Sequence, residues 1–332
     1  MGGTPTDRTS RNSGRTLPVS VVIPTIGRSD LLRRCLDSVL SCDPAADEVL
    51  VVDQSGGNVV QTLARDLGPR RVRVVPCEGR GVAKATNLGL REASHDLVLV
   101  THDDCTVALD WVVTAERLVS EMPDGIVTGR VLPPDGAAYV PSTKSQSAPE
   151  DFTGRIVWDA LYPANMAASR SAVVATGGFD ERPGLLVAED IDFCYRWLRT
   201  GRRLRYEPDL VVWHHDWRSP EDLVRTHQRY ALSRGSFYGR HLRAGDWRHI
   251  LPWVGSDLYQ WARSLVGGAL GRHARCNDHR REAVPHVLLG LLAGWSEARR
   301  LDTRAAGPPA ATRAGARWTP RNGGGGVPGA DG

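Results

Sequence analysis

Four short apolar runs, at residues 19–25, 48–53, 72–76 and 96–101, alternate with stretches whose apolar residues recur at helical spacing. The first such stretch follows Ser29 and Asp30, either of which can cap a helix carrying Leu31, Leu32, Cys35, Leu36, Val39 and Leu40. Residues 59–67 and 82–93 supply two more. Runs apolar at consecutive positions are strands buried on both faces, and strands alternating with helices join through right-handed crossovers into a parallel sheet. That pattern commits the front of the chain to an α/β fold. It also says where to look for chemistry, because such sheets bind ligands at the carboxyl ends of their strands. Asp53 ends one run and His102-Asp103-Asp104 end another.

The chain's 332 residues allow one large α/β domain, or a medium one with an appendage. With 41% hydrophobic and 24% charged residues it is not collagen-like, wholly disordered or a polytopic membrane protein. The net charge of +4 hides an asymmetry: residues 218–332 hold 18 Arg against 9 acids (+9), leaving −5 for residues 1–217. All but two of the 42 basic residues are Arg, the exceptions being Lys84 and Lys144, so arginine in the rear half reflects the chain's composition rather than a nucleic-acid surface. Cysteines at 35, 42, 77, 105, 194 and 276 form no CxxC pair and read as reduced thiols. Arg8, Arg11 and Arg15 precede no apolar stretch, and no run of 18 apolar residues occurs. The expectation is a cytoplasmic protein. The polar residues 1–16 and the Gly/Pro-rich residues 305–332 read as disordered tails, residues 17–217 as the main domain and 218–304 as a helical region.

Three constellations carry chemistry. Asp103 and Asp104 beside a buried strand need a partner, either a hard cation or the start of the next helix. Glu189 and Asp190 open a helix predicted over 187–200, where a carboxylate serves as a general base or simply favours the helix dipole. His214 and His215 follow an apolar stretch at 203–213 read as one or two short strands. Adjacent residues there point to opposite sides, so at most one meets the same centre as Asp104.

The order of these pieces resembles the family 2 glycosyltransferases, over about residues 18–217. The motifs are VSVVIPT (19–25), EVLVVDQSGG (48–57), GVAKATNLGL (81–90), DLVLVTHDDC (96–105), ANMAASR (164–170), GGFDE (177–181), AEDIDFCYRW (188–197) and YEPDLVVWHH (206–215). The resemblance implies a GT-A fold, Rossmann-like, with a mainly parallel central sheet flanked by helices and a helical C-terminal appendage. It implies an inverting transferase that moves a sugar from a nucleoside-diphosphate sugar, UDP or dTDP, to an acceptor hydroxyl. Pro24, Thr25, Asp53, Asn87, His102 and Asp103 would line the donor site. Asp104 and His214 would hold Mg²⁺ or Mn²⁺, and Asp190 would be the base. Glu189, Asn165 and Met166 would meet the acceptor, a glycan, a lipid-linked sugar or a small molecule. Two positions depart from the family: His102 stands where an acid is usual, and Thr86 stands where many relatives have Arg, leaving Arg80 or Lys84 to supply positive charge near phosphate.

Competing readings are a catalytically inactive nucleotide-sugar binder of the same fold, a dinucleotide-dependent oxidoreductase and a nucleic-acid binder. The oxidoreductase needs GxGxxG after the first strand, where this chain has Pro24-Thr25-Ile26-Gly27-Arg28. The nucleic-acid reading lacks any recognisable motif. Residues 284–295 are largely apolar, interrupted by Pro285 and His286, and flanked by Arg280, Arg281, Arg299 and Arg300; they are too short to span a bilayer and suit either a buried helix or peripheral contact at the inner membrane face through 280–300.

Overall fold

The computed structural model describes residues 15–68, 72–135, 140, 142–153, 160–185, 187–215, 220–269 and 278–305. Nearly all of both expected tails, and Cys276, lie outside them.

The front of the chain forms β1 (Thr16–Thr25), α1 (Ser29–Leu40), β2 (Ala45–Asp53), α2 (Val59–Asp66), β3 (Arg73–Pro76), α3 (Val82–Glu92) and β4 (Leu97–Val100). β1 pairs in parallel with both β2 and β4, and β2 with β3, as the alternation requires. Each central strand feeds two cores. Val19, Val21 and Ile23 of β1, with Val49 and Val51 of β2, pack with Leu32, Leu36 and Val39 of α1. Val22, Leu50 and Val52 face the other way, into a cluster with Ala83, Ala85 and Leu90 of α3. The consecutive apolar run is thus read out as two alternating faces, each under a helical layer. Gly89 is part of this contact: a Cβ there would sit 2.3 Å from Val22 Cγ1.

Beyond β4 the chain adds β5 (Cys105–Val107), α4 (Trp111–Glu121), β6 (Ile126–Leu132), β7 (Glu150–Phe152), β8 (Met166–Ser169), α5 (Arg170–Ala175), α6 (Glu189–Arg199) and β9 (Leu204–His214). The nine strands described form one sheet of order β3-β2-β1-β4-β8-β6-β9-β5, with β7 also on β9. It is parallel through β4 and mixed beyond. β8 lies antiparallel between β4 and β6, β9 runs parallel to β6, and β5 and β7 run antiparallel to β9. The stretch expected as one or two short strands is a single strand of 11 residues. Its register against β6 skips from Gly129↔Glu207 to Arg130↔Val211, and this bulge accommodates Pro208.

Three helices follow: α7 (Pro220–Arg243), α8 (Trp247–Ala269) and α9 (Asp278–Ala305). They are tied to α6 by a third core of Leu185, Ala188, Tyr195, Phe237, Tyr238 and Ile250. Nearby, His241 Nε2 lies 2.9 Å from Asp192 Oδ1. Arg240 donates to Asp180 at 2.7 Å and to Glu297 at 2.6 Å, bridging the GGFDE loop to α9.

Candidate active site

A cleft of about 480 Å³ opens at the carboxyl ends of β1, β2 and β4. Pro24, Thr25, Ile26 and Arg28 enter from β1 and the following turn, Gln54 from the end of β2, and Gly81 and Val82 from the start of α3. His102, Asp103 and Asp104 form its inner wall, with His214 from the end of β9. Opposite stand Tyr162, Pro163 and Ala164, the start of α6 with Glu189 and Asp190, and Tyr230 and Arg234 of α7.

Strand pairing sets Asp104 against His214. Cys105 is the antiparallel partner of His214, and His215 N donates to Asp104 O at 2.8 Å. His214 Nε2 consequently stands 3.7 Å from Asp104 Oδ2. The two histidines do point apart: His214 lines the cleft, while His215 Nε2 meets Thr106 Oγ1 at 3.0 Å. Burial alone would raise the Asp104 carboxyl, but the His214 imidazole and the Arg28 guanidinium outweigh it and hold the group well below the usual carboxylate range. Asp104, Cys105 and His214 offer ligand atoms within 4.8 Å of one another. Burial pushes the Cys105 thiol far up, so it stays protonated, and it leans on Asp104 Oδ1 at 3.8 Å. That leaves one hard oxygen and one imidazole nitrogen on an open cleft. Such a set fits Mg²⁺ or Mn²⁺ completed by phosphate oxygens and does not fit a closed thiolate site.

Asp103 accepts from Thr25 Oγ1 at 2.6 Å and from Arg28 Nε at 3.3 Å, and Arg28 Nη2 contacts both Asp103 Oδ1 and, at 3.1 Å, Asp104 Oδ2. His102, where the family pattern has an acid, presents a buried Nε2 with no hydrogen-bond partner among the described residues. Burial lowers its pKa, outweighing the pull of Asp104, so the ring is neutral at pH 7 and cannot replace the missing anion.

Neither Glu189 nor Asp190 caps α6; the N-cap is Ala188, without a side-chain bond. Glu189 Oε2 is buried without a partner among the described residues, and burial together with the Asp190 charge raises its pKa well above normal. Desolvation likewise lifts Asp190 to about 6, opposed by the Ile191 N–H, which donates to its Oδ1 at 2.7 Å.

Other sequence candidates are placed differently. Asp53 is buried outside the cleft lining and accepts from Ser55 N at 2.8 Å; its neighbour Gln54 reaches the cleft instead, donating to Gly79 O at 3.0 Å and Gly81 O at 3.2 Å. Arg80 and Lys84 do not line the cleft, although Gly81 and Val82 between them in sequence do. Asn87 binds the GGFDE loop: its Nδ2 donates to Phe179 O at 2.7 Å and Glu181 Oε1 at 2.9 Å, and its Oδ1 accepts from Phe179 N at 2.9 Å. Asn165 and Met166, expected at the acceptor, are fully buried beneath the cleft wall. Asn165 spends its whole amide on the fold, donating to Arg130 O and Leu210 O at the β6–β9 bulge at 2.8 Å each and accepting from Trp111 Nε1 of α4 at 2.9 Å. A Cβ on Gly129 would fall 2.0 Å from Leu210 O, which closes the bulge to any other residue. Asn165→Ala is therefore expected to cost about 3 kcal/mol, by stranding three buried polar groups. A thermal melt would show it as a drop of roughly 6–12 °C in Tm, while the affinity of surviving folded protein for nucleotide stays unchanged.

Arg28, Gln54, Tyr162, Tyr230 and Arg234 line the cleft without having been singled out from the sequence. Arg28 stands three residues past the VSVVIPT motif, after Ile26 and Gly27, and Tyr230 and Arg234 share one helix face at i, i+4. Those two signals were available in the sequence.

Residues 20–168 match the model of glycosyl transferase family 2. A pre-mycofactocin glycosyltransferase of Mycobacterium tuberculosis is 27% identical over 291 residues, covering 77% of this chain and 54% of that protein. A glucosyl-dolichyl phosphate glucuronosyltransferase of Haloferax volcanii is 24% identical over 220 residues, 60% of this chain and 69% of that one. The chain thus spans about half the length of the first of these relatives. Among solved structures, a mannosyltransferase of Pyrobaculum calidifontis in complex with GDP-Man and Mn²⁺ superposes with a TM-score of 0.53 at 20% identity, covering 88% of this chain and 80% of that one. TarS of S. aureus in complex with UDP gives 0.51 at 17% identity, with 86% and 92% covered. The family match over residues 20–168 and the curated relatives support a family 2 glycosyltransferase, and the fold is GT-A with a helical C-terminal part.

Proposed function

We propose that this protein is an inverting glycosyltransferase, moving a sugar from a nucleoside-diphosphate sugar, UDP- or dTDP-linked, to an acceptor hydroxyl. The observation that carries this reading is that one cleft holds two carboxylates pushed in opposite directions, Asp104 kept ionised and Asp190 lifted to about 6. Paired acids with divergent pKa values assign a charge-holding role and a proton-accepting role. Asp104 and His214 would hold Mg²⁺ or Mn²⁺, which when bound supplies charge neutralisation for the departing nucleoside diphosphate. Asp190 takes the proton from the acceptor hydroxyl as that oxygen attacks the anomeric carbon opposite the leaving group. Glu189, protonated beside it, keeps a second negative charge away from the base and has a proton to donate to an acceptor oxygen. UDP in one structural neighbour and GDP-Man with Mn²⁺ in another support this donor class. No observation favours a catalytically inactive nucleotide-sugar binder.

The test is a donor screen with Mn²⁺ or chelator, following release of nucleoside diphosphate. Metal-dependent release from one donor, abolished in Asp104→Ala, supports the reading. Absence of both release and metal-dependent nucleotide binding, measured calorimetrically, would sink it. A second check is the pH profile of kcat/KM. With the base near 6 and Asp104 ionised throughout, the rate should be flat from pH 7 to 8 and fall tenfold per unit below about 6.

The acceptor class is proposed to be glycan, lipid-linked or small-molecule, with the lipid-linked case favoured by the surface of α8 and α9. No helix among the described residues is long and apolar enough to cross a membrane. On α8, however, Trp247, Leu251, Leu258, Tyr259 and Val266 are exposed, and on α9 so are Leu288, Leu289, Leu292 and Trp295. Asp246, just before α8, and Asp257 of α8 pair with Arg199 and Arg234, and Glu297 of α9 with Arg240, while Arg248, Arg263 and Arg299 stay exposed. Apolar and aromatic groups rimmed by arginine suit an anionic bilayer surface, and a cytoplasmic location against the inner leaflet belongs to the same proposal. Vesicles with one-third phosphatidylglycerol should co-sediment the protein at low salt and phosphatidylcholine vesicles should not. Failure on both, or a dimer in sedimentation velocity that buries this face, would overturn the membrane contact.

A further inference from the structure

Arg28 occupies the carboxylate oxygen that a divalent cation would need. Gly27, at φ 89°, turns the chain after β1, and no side chain fits at that position, since a Cβ would lie 2.6 Å from Ser55 Cβ. The turn delivers the Arg28 side chain into the cleft. Its Nη2 stands 3.1 Å from Asp104 Oδ2, the same oxygen that lies 3.7 Å from His214 Nε2, and also contacts Asp103 Oδ1. The Asp103 side is completed by Arg28 Nε at 3.3 Å and by the Thr25 hydroxyl at 2.6 Å.

A monovalent and a divalent cation sharing one carboxylate oxygen repel each other unless an anion stands between them. The formal charges show which ligands restore the balance. Asp103, Asp104 and Arg28 together carry −1. A divalent cation alone would make the group +1, and a sugar-linked diphosphate of charge −2 alone would make it −3. Both together leave it at −1. Guanidinium also matches phosphate oxygens as well as it matches carboxylate, and Arg28 lies on the cleft surface with 22% of its side chain exposed, so it can turn from one to the other.

The geometry points to Arg28 as a resident counter-ion of the Asp103–Asp104 pair, one that excludes a divalent cation from the free protein and moves to the donor's diphosphate when cation and nucleotide bind together. This rests on the nucleoside-diphosphate and cation reading above and adds the order of binding to it. Arg28 is in this account a donor-binding residue as well as a regulator of cation entry.

The experiment is Mn²⁺ binding, read by loss of the free-ion electron paramagnetic resonance signal, with and without UDP, for the wild type, Arg28→Gln and Arg28→Lys. The wild type should bind Mn²⁺ at least tenfold more tightly with UDP present. Arg28→Gln should bind Mn²⁺ alone at least tenfold more tightly than the wild type, and the enhancement by UDP should largely vanish. Arg28→Lys, charged but without the fork, should fall between them, and it carries the test if Arg28→Gln does not fold. Wild type with the UDP enhancement but Arg28 variants no tighter for Mn²⁺ alone would overturn this inference and leave the proposed function standing. No Mn²⁺ binding by any protein, with or without UDP, would remove both.

Discussion

Asp190→Asn is expected to lower turnover by roughly 10²–10⁴-fold, the range a positioned general base contributes, while nucleotide binding stays intact. The substitution is isosteric, and Asn can still accept from Ile191 N. What it loses is proton affinity. The same desolvation that tunes the base also strains the fold, and the sign is definite. A carboxyl whose folded pKa is raised from 3.8 to about 6 binds more protons folded than unfolded between those values. Stability therefore falls as pH rises through that window, and above it the wild type carries the full cost of a desolvated charge. Asn carries none. For a half-buried group the cost is about 1–3 kcal/mol, so at pH 8 the inactive variant should melt several degrees higher than the wild type. At pH 4 the two should melt together. Equal activity would end the assignment of Asp190 as base, and a lower Tm at pH 8 would end the account of its environment.

The front half of this fold is legible because each element repeats one physical signal. Consecutive β-branched residues at 19–25 and 48–53 fill two cores, and helical periodicity at 29–40 covers one of them. The sheet beyond β4 is not legible in the same way. β5, β7 and β8 have three or four residues each, too few for any periodicity, and they are strands only because β9 and β4 present edges to them. That Asp104, His214 and Asp190 line one cleft can be read from strand ends and a helix start, where position alone implies convergence. Asn87 and Asn165 do not line the cleft, and both are hard to read from sequence for a common reason. An amide in a motif reads equally as a ligand contact or as a structural clamp, and only the partners of its two donors and its carbonyl decide. Here Phe179, Glu181, Trp111, Arg130 and Leu210 decide for the clamp. Arg28 is harder still, since its meaning depends on two carboxylates 75 and 76 positions away.

The same small change should act with opposite signs at two glycines of the C-terminal helices. Gly239→Ala is expected to destabilise by about 3 kcal/mol or more, whereas Gly255→Ala should stabilise by roughly 0.5–1 kcal/mol. On α7 and α9, Gly235, Gly239, Gly290 and Gly294 form two facing GxxxG pairs. A Cβ would fall 2.0 Å from Val287 O at Gly235, 2.0 Å from Leu291 O at Gly239, 2.0 Å from Leu232 O at Gly290 and 2.1 Å from Ser236 O at Gly294. The two backbones are in direct contact, the packing that small residues at four-residue spacing permit. A methyl group on Gly239 has to push α9 away by more than 1 Å to reach an ordinary carbon–oxygen separation. Gly255 on α8 has nothing within 4 Å, so alanine there only reduces the freedom of the unfolded chain. The loss at Gly239 should also reach the cleft. Arg240 next to it bridges Asp180 and Glu297, and Tyr230 and Arg234 of the same helix line the wall facing Asp190. Thermal melts of both variants, with nucleotide binding measured on the folded fraction, check the argument. Gly239→Ala should melt roughly 6–12 °C lower or more, and its loss of acceptor turnover should exceed its loss of nucleotide affinity. Equal melting temperatures for the two variants would mean that α7 and α9 do not touch through their backbones.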